Sequence, residues 1–485
     1  MSEFTLPPII YGIETEYTGT IGFRYDDTSE LVGACHGPKQ QREVPLVSNS
    51  SFENIDDGAY VTALEEQGIT RSERNEMLSN GGRFYIDHSG AEYCTPETTS
   101  AEEVVHRTFD GDRLVLGVLA SLREEGHIIS SQLNRKSVDH SGSSRGIHHN
   151  HAINYIPDCD TYWKRNDVVD AHVSIEISKA VIAGAGGLLV DSEDGTTKYY
   201  HSPRLAISNR LFGDDPIGQR GLLRYGLSPD VGCSRYESIC NDALNSPWAL
   251  RASLVLVNAT TRLVAADMHH NIPKIVRPML AARSVGQYGN NCHILVNNGQ
   301  DEYQKPADVL EEIAMQLISA HDTHDILDQE MRQVLEEVIE VVHMQKSDPT
   351  TVAPVVEAVQ RKLFIDKILG EAVDYDSVAS CRRDFLWDMI GDGAAQRLRE
   401  DKKIGWLGFS KPFSVVDRKK RLVNPPKDTR ARIRANILTN PDKQSEYAVT
   451  NWSTIVHAGR VYELAPLSTH VKDAILVPIV TPKDE

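Results

Sequence analysis

The segment YGIETEYTGTIGF, residues 11–23, sets two carboxylates two positions apart in what otherwise reads as a strand. Thr15, Tyr17 and Thr18 favour extended backbone, and Ile9, Ile10, Ile13 and Ile21 are apolar. Residues i and i+2 of a strand share a face, so Glu14 and Glu16 project side by side. Two ionised carboxylates at that spacing repel, and burial raises the cost. Either one faces water while the other pairs with a basic group, or a cation holds both. A divalent cation is the economical solution, because hard cations take carboxylate oxygens and remove the repulsion.

Three further stretches carry chemistry-bearing residues. In YIDHSGAEYCTPE, Asp87, Glu92 and Glu97 follow a predicted strand over 82–87 at spacings of five. In that strand Arg83, Tyr85 and Asp87 share one face, and Phe84 and Ile86 the other. Acids at strand ends are often turn residues. Read beside Glu14 and Glu16, they would make a sheet face rich in oxygen ligands. SVDHSGSSRGIHHNHAINY, residues 137–155, runs through a Gly/Ser turn into His148, His149 and His151. His149 and His151 would share a face opposite His148. No cysteine accompanies them, so contact of one imidazole with phosphate, or ordinary polar packing, is favoured over a zinc site. NPPKDTRARIRANIL, residues 424–438, places Arg430, Arg432 and Arg434 on one short helix, with Trp452 downstream. That is either a solvated basic face or arginines for phosphates with an indole for a purine.

There is no Walker A motif and no G-x-G-x-x-G. A bound triphosphate would be gripped by carboxylate-held metal ions and arginines, which leads to phosphoryl transfer. The formal charge of −18 and pI near 5.5 weigh against nucleic-acid binding. No apolar run reaches the ~18–20 residues that span a bilayer, and the first residues lack a secretory pattern. Seven cysteines are scattered without a C-x-x-C pair, which fits reduced, mostly buried thiols in a cytoplasmic protein.

Residues 34–60 read as a long loop, and 127–134 (HIISSQLN) as a strand. Ser100 caps a helix, with Glu103 completing a capping box and Gly126 ending it. Helices are expected over 167–187 and over 247–268, where proline stands in the first turn. Residues 306–343 read as one long helix or a helical hairpin, and 350–369 and 379–400 as helices. A short helix and two strands, WSTIVHA and RVYELAPL, close the chain. Without regular βαβ alternation this is α+β with a mostly antiparallel sheet. Residues 1–409 form one domain and 410–485 a small α+β appendage.

Taken together these blocks resemble the Pup ligases and the related Pup deamidase/depupylases. GIETEY is similar to that family's G-x-E-x-E-[YF]. NGGRFYIDHSGAEYCTPE, VDHSGSSRGIHHNH, RYESICNDALNS and PPKDTRARIR resemble four further family blocks, in order across nearly the whole chain. The resemblance implies a glutamine-synthetase-like antiparallel sheet cradling ATP and Mg2+, closed at one end by a small C-terminal domain. Its ligases activate a glutamate side chain of the small protein Pup by phosphorylation, and a lysine amine then attacks. Its hydrolases cleave that isopeptide bond or deamidate a C-terminal glutamine. Carried over, Glu14, Glu16, Glu92 and Glu97 hold magnesium, and Asp87 is base or nucleophile. His148 and Arg210 contact phosphates, Arg430 and Arg432 lie near nucleotide, and Trp452 lies by adenine.

His88 after Asp87, the position of Glu92 and the long insert before Tyr85 resemble the depupylase branch. His149 stands where the family has Glu, and Glu237 where it has His, as if exchanged, so the two are expected to be neighbours. These departures admit a second reading, an amide ligase joining a small carboxylate to an amine in a biosynthetic pathway. A third, an inactive nucleotide-binding regulator, is opposed by retention of Asp87, Glu14 and Glu16. The expected partner is a Pup-like protein or a small acid and amine, not a nucleic acid or a membrane.

Overall fold

Burial on one side and charge on the other make β1 (Tyr11–Gly22) the centre of the fold. Ile13, Thr15 and Tyr17 are almost wholly buried, while Glu14 and Glu16 between them are half-buried. The computed structural model describes residues 10–22, 57–71, 76–87, 90–128, 130–138, 142, 144, 146–152, 164–191, 194–213, 220–228, 233–369, 374–400, 415–468, 470–473 and 475–476. The large sheet runs β2 (Arg83–Asp87), β3 (Gly90–Cys94), β1, β5 (Ile147–Ala152), β10 (Cys233–Ser238), β9 (Gly221–Ser228), β8 (Arg210–Phe212). β4 (Ser130–Asn134) pairs with the second half of β1. Every pairing is antiparallel except β8 with β9, so the expected α+β sheet is mixed at one edge.

Helices cover the apolar face of the sheet. α1 (Asp57–Glu66) packs on α2 (Ala101–Glu124). Behind them stand α3 (Asn166–Ser178), α4 (Pro247–Ala265), α5 (Pro306–His324) and α6 (Gln329–Ser347). α4 is buried on all sides, as an all-round core helix should be. Ser246 caps it by accepting from the Ala249 N–H, and Pro247 takes the first position as the sequence predicts. Ser100 caps α2 by accepting from Glu103 N–H, but the Glu103 carboxylate turns forward to Arg107 (2.7 Å) and leaves the box half made.

Several sequence expectations are refined. Residues 57–60 belong to α1, and the rest of the 34–60 stretch lies outside the described residues. The 306–343 segment is a hairpin of α5 and α6. Asp325 turns the chain in the left-handed region (φ 51°), and the Asp328 side chain caps α6 at Met331 N–H. The helix expected over 167–187 stops at Ser178, and one short turn, Ala180–Ala183, follows. The 379–400 stretch breaks into Val378–Asp388 and Ala394–Glu400 around Gly391 (φ 100°).

Past residue 415 the chain adds a helix, Val415–Val423, then α7 (Ala431–Thr439). A four-stranded antiparallel sheet completes it: β14 (Tyr447–Val449), β15 (Thr454–His457), β16 (Arg460–Glu463) and β17 (Ile475–Leu476). Its small core holds Ile433, Ile437, Val449, Ile455 and Leu464 with Met77. The expected boundary at 409–410 lies outside the described residues.

α2 meets the sheet at Gly111, where a Cβ would stand 2.3 Å from the Tyr93 ring. Gly111→Ala therefore loses more by overpacking, ~1–3 kcal/mol, than it gains in helix propensity, ~1 kcal/mol. A lowered thermal midpoint with α2 still formed is the expected result, read by calorimetry and circular dichroism.

Candidate active site

The register of the sheet assembles one charged face. Glu14 of β1 pairs with Cys94 on one side and His148 on the other, and Glu16 pairs with Glu92. Arg83 and Tyr85 continue these rows on β2. Beyond β5, Asn150 pairs with Glu237, which pairs with Arg224. Strand periodicity thus places Tyr85, Glu92, Glu14, Glu16, His148, Asn150, Glu237, Arg235 and Arg224 on the same side. Gly146 keeps the floor open: a Cβ there would meet His148 Nε2 at 2.3 Å and Glu16 Oε1 at 2.8 Å.

The charges on this face divide into a neutralised half and a bare half. His148 Nδ1 lies 3.2 Å from Glu14 Oε2 and 2.9 Å from Glu237 Oε1. Burial alone would push the imidazole down, but these two carboxylates raise it to about 10, so it carries a proton. Arg235 donates to Asn150 (2.8 Å) and reaches Glu237 (3.1 Å) and Glu14 (3.5 Å). Arg224 forks onto Glu237. Burial opposes ionisation of Glu237, yet His148 and the arginines hold its carboxyl well below the usual range. Glu14 is likewise lowered against burial, by His148 and Arg235.

Glu92 differs. It is buried, and with the Glu14 and Glu16 charges also against it, its carboxyl rises to about 8. Cys94 Sγ donates to it at 3.4 Å. Among the described residues no basic side chain forms an ion pair with Glu16 or Glu92. Acids left this way favour a cation, and together with Glu14 they offer the carboxylate oxygens that a hard divalent ion takes. The residues present therefore fit magnesium. His148 Nε2, buried and without a hydrogen-bond partner among the described residues, points to the same floor.

A cavity opens where the N-terminal end of β1 meets the C-terminal segment. Glu14, Glu97, Arg235, Arg430 and Trp452 line it together with apolar Ile10 and Pro466. Glu97 joins the two parts of the chain. Arg430 Nε donates to its Oε1 at 2.9 Å, and Arg434 binds both carboxylate oxygens. Burial would raise Glu97, but Arg434 and Arg430 hold it below its ordinary range. Arg434 also stacks over the Trp452 ring at 4.9 Å and donates to Trp452 O at 2.7 Å.

The sequence-predicted residues are thus partly brought together. Glu14, Glu16, Glu92 and His148 share the floor; Glu97, Arg430 and Trp452 line the adjoining cavity. Glu97 is already committed to two arginines, so it stands apart from the bare carboxylates as a metal ligand. Arg432 does not reach the cavity. Two residues on from Arg430, a helix has turned by roughly 200°, so Arg432 is exposed on the opposite face. Arg210 lies exposed on the edge strand β8, away from the cavity. Asp87 ends β2, paired with Gly90, and its side chain lies outside the described residues. His149 pairs with Ser238, beside Glu237, so the two are close along the sheet as expected. They point to opposite faces, however. Glu237 meets His148, while His149 is fully buried behind the sheet. The sequence reading missed Arg224 and Arg235. Their parity with Glu237 across β9 and β10 was the available signal.

These features, a charged antiparallel face beside a Trp-lined cavity, define a carboxylate cradle. The chain matches the Pup-ligase protein family over residues 9–456 and belongs to it. It is 26% identical over 275 residues to a depupylase of Acidothermus cellulolyticus, covering 53% of this chain and 52% of that protein. It is 24% identical over 165 residues to the Pup deamidase/depupylase of Mycolicibacterium smegmatis, covering 34% and 32%. The chain spans about half the length of the first of these curated relatives and a third of the second. In fold it is similar to the Pup ligase PafA solved in complex with Pup. The TM-score is 0.72 at 18% identity, over 96% of this chain and 90% of that one. The ADP complex of PafA gives 0.68 at 17% identity, over 92% and 97%.

Glu97→Gln removes the charge that two buried guanidiniums share, at a cost of ~3–5 kcal/mol. Arg432→Ala, on the exposed face, changes stability by less than ~0.5 kcal/mol. Denaturant midpoints of the two variants check this contrast.

Proposed function

We propose that this chain is an ATP- and Mg2+-dependent enzyme that makes or breaks an amide or isopeptide bond at a side-chain carboxylate, on the depupylase side of its family. The observation that carries this reading is the carboxylate group Glu14, Glu16 and Glu92 on one sheet face, the last two without a basic partner among the described residues, next to the cavity with Trp452. Glu14, Glu16 and Glu92 would hold magnesium, which when bound neutralises phosphate charge. His148 presents a buried, protonated ring to the same floor, suited to a phosphate oxygen. Arg235 bridges the floor and the cavity and orients Glu14. Trp452 supplies an apolar plane for adenine, and residues 410–485, as a small C-terminal domain, close that end through Glu97. Asp87, by its family position, is the base or nucleophile.

The curated relatives are depupylases, which favours a Pup-like protein as substrate. The His149 and Glu237 departures favour the second reading, ligation of a small acid to an amine. Unpaired Cys94, Cys240, Cys292 and Cys381 fit a cytoplasmic setting. No described helix is long and apolar enough to cross a membrane.

Calorimetry should show nucleotide binding that weakens at least ~10-fold when magnesium is removed or when Glu16→Gln replaces a bare carboxylate. Absence of magnesium-dependent nucleotide affinity would refute the reading. Asp87→Asn should abolish turnover of a Pup conjugate while sparing nucleotide binding; a fully active variant would remove Asp87 from the chemistry. ADP released in step with product marks ligation, whereas hydrolysis needs nucleotide without steady consumption.

A further inference from the structure

A second cluster of metal-ligating side chains lies away from the cradle. Asp167 sits in the first turn of α3. α4 ends at Ala265, and the chain turns through Asp267, left-handed at φ 56°, to present His269 and His270. Both imidazoles face the same carboxylate oxygen. His269 Nε2 is 3.0 Å and His270 Nδ1 3.8 Å from Asp167 Oδ2. One donor atom from each of the three residues lies within 4.8 Å of the other two. The rings stand 4.6 Å apart at 38°.

That spacing suits a metal. Ligand bonds of about 2.0–2.2 Å in a tetrahedron put donors roughly 3.3–3.6 Å apart, and the two observed separations bracket this range. The His269 side chain is wholly buried and its Nδ1 has no hydrogen-bond partner among the described residues, so the ring is held by packing. His270 is more than half exposed and can adjust. Arg165 now pairs with Asp167 at 2.7 Å and with Asp267 at 3.0 Å. With 40% of its side chain exposed, it can keep Asp267 and yield an Asp167 oxygen. A cleft lined by Asp170, Lys274, Asn297 and Asn298 adjoins the cluster and leaves room for a water ligand.

We propose that Asp167, His269 and His270 form a site for a zinc-class divalent ion, which ties the start of α3 to the end of α4. Two imidazoles and one carboxylate select such ions over magnesium, which prefers oxygen donors. Three protein ligands leave a fourth position to water.

The test uses the full chain, freed of metal by chelation and held in excess Mg2+ to satisfy the cradle carboxylates. Titration with Co2+, whose visible absorption reports tetrahedral nitrogen and oxygen ligation, should show about one equivalent bound. His270→Ala and Asp167→Asn, both at solvent-exposed side chains, should each lose that equivalent. Zn2+ should raise the melting temperature of the parent chain and not of the variants. No tetrahedral cobalt spectrum at micromolar Co2+, or the same stoichiometry and affinity in both variants, would overturn the proposal.

Discussion

Strand parity along β1 is the constraint on which the rest depends. Ile13, Thr15 and Tyr17 point into helices, and Glu14 and Glu16 point into the cradle. A slip of one residue against β3 or β5 would bury both carboxylates in a hydrocarbon core and expose the apolar set. Because β1 pairs with β5 over Tyr11–Thr15, with β3 over Glu14–Tyr17 and with β4 over Thr18–Gly22, its neighbours inherit the same parity. That is how Glu92, His148 and Glu237, far apart in the chain, arrive on one surface.

The two halves of that surface solve the problem of like charge differently. On the β10 side, protonated His148 and two arginines answer Glu14 and Glu237. On the β3 side, Glu16 and Glu92 stay bare, and burial with repulsion keeps Glu92 from ionising until about pH 8. The imbalance is local, since the neighbouring acid Glu97 is fully matched by Arg430 and Arg434.

The reverse of the sheet is polar as well, but closed. Glu176 and Lys179 form a buried pair at 2.6 Å, and Tyr236 and Ser238 donate to the same carboxylate at 2.6 and 2.7 Å. Burial and the Lys179 charge push His151 to about 3, so it packs there as a neutral ring beside His149. The bonds that converge on Glu176 favour one placement of β10 against its helix over the competitors. They also stiffen the floor from behind.

Local chemistry was legible in the chain itself. The E-x-E period put two carboxylates on one strand face. Pro247 marked the first turn of a helix, and the lack of regular βαβ alternation declared the mostly antiparallel α+β class. Signals of this kind depend on neighbours within a few residues, where steric and hydrogen-bonding preferences act directly. Pairing across the sheet does not work that way. That Glu237 answers His148 rather than His149, that Glu97 is spent on two arginines, and that Arg432 turns outward were decided by tertiary structure. Register, helix phase and the docking of the C-terminal segment bring together charges more than 80 residues apart, and no local preference encodes which of them will meet.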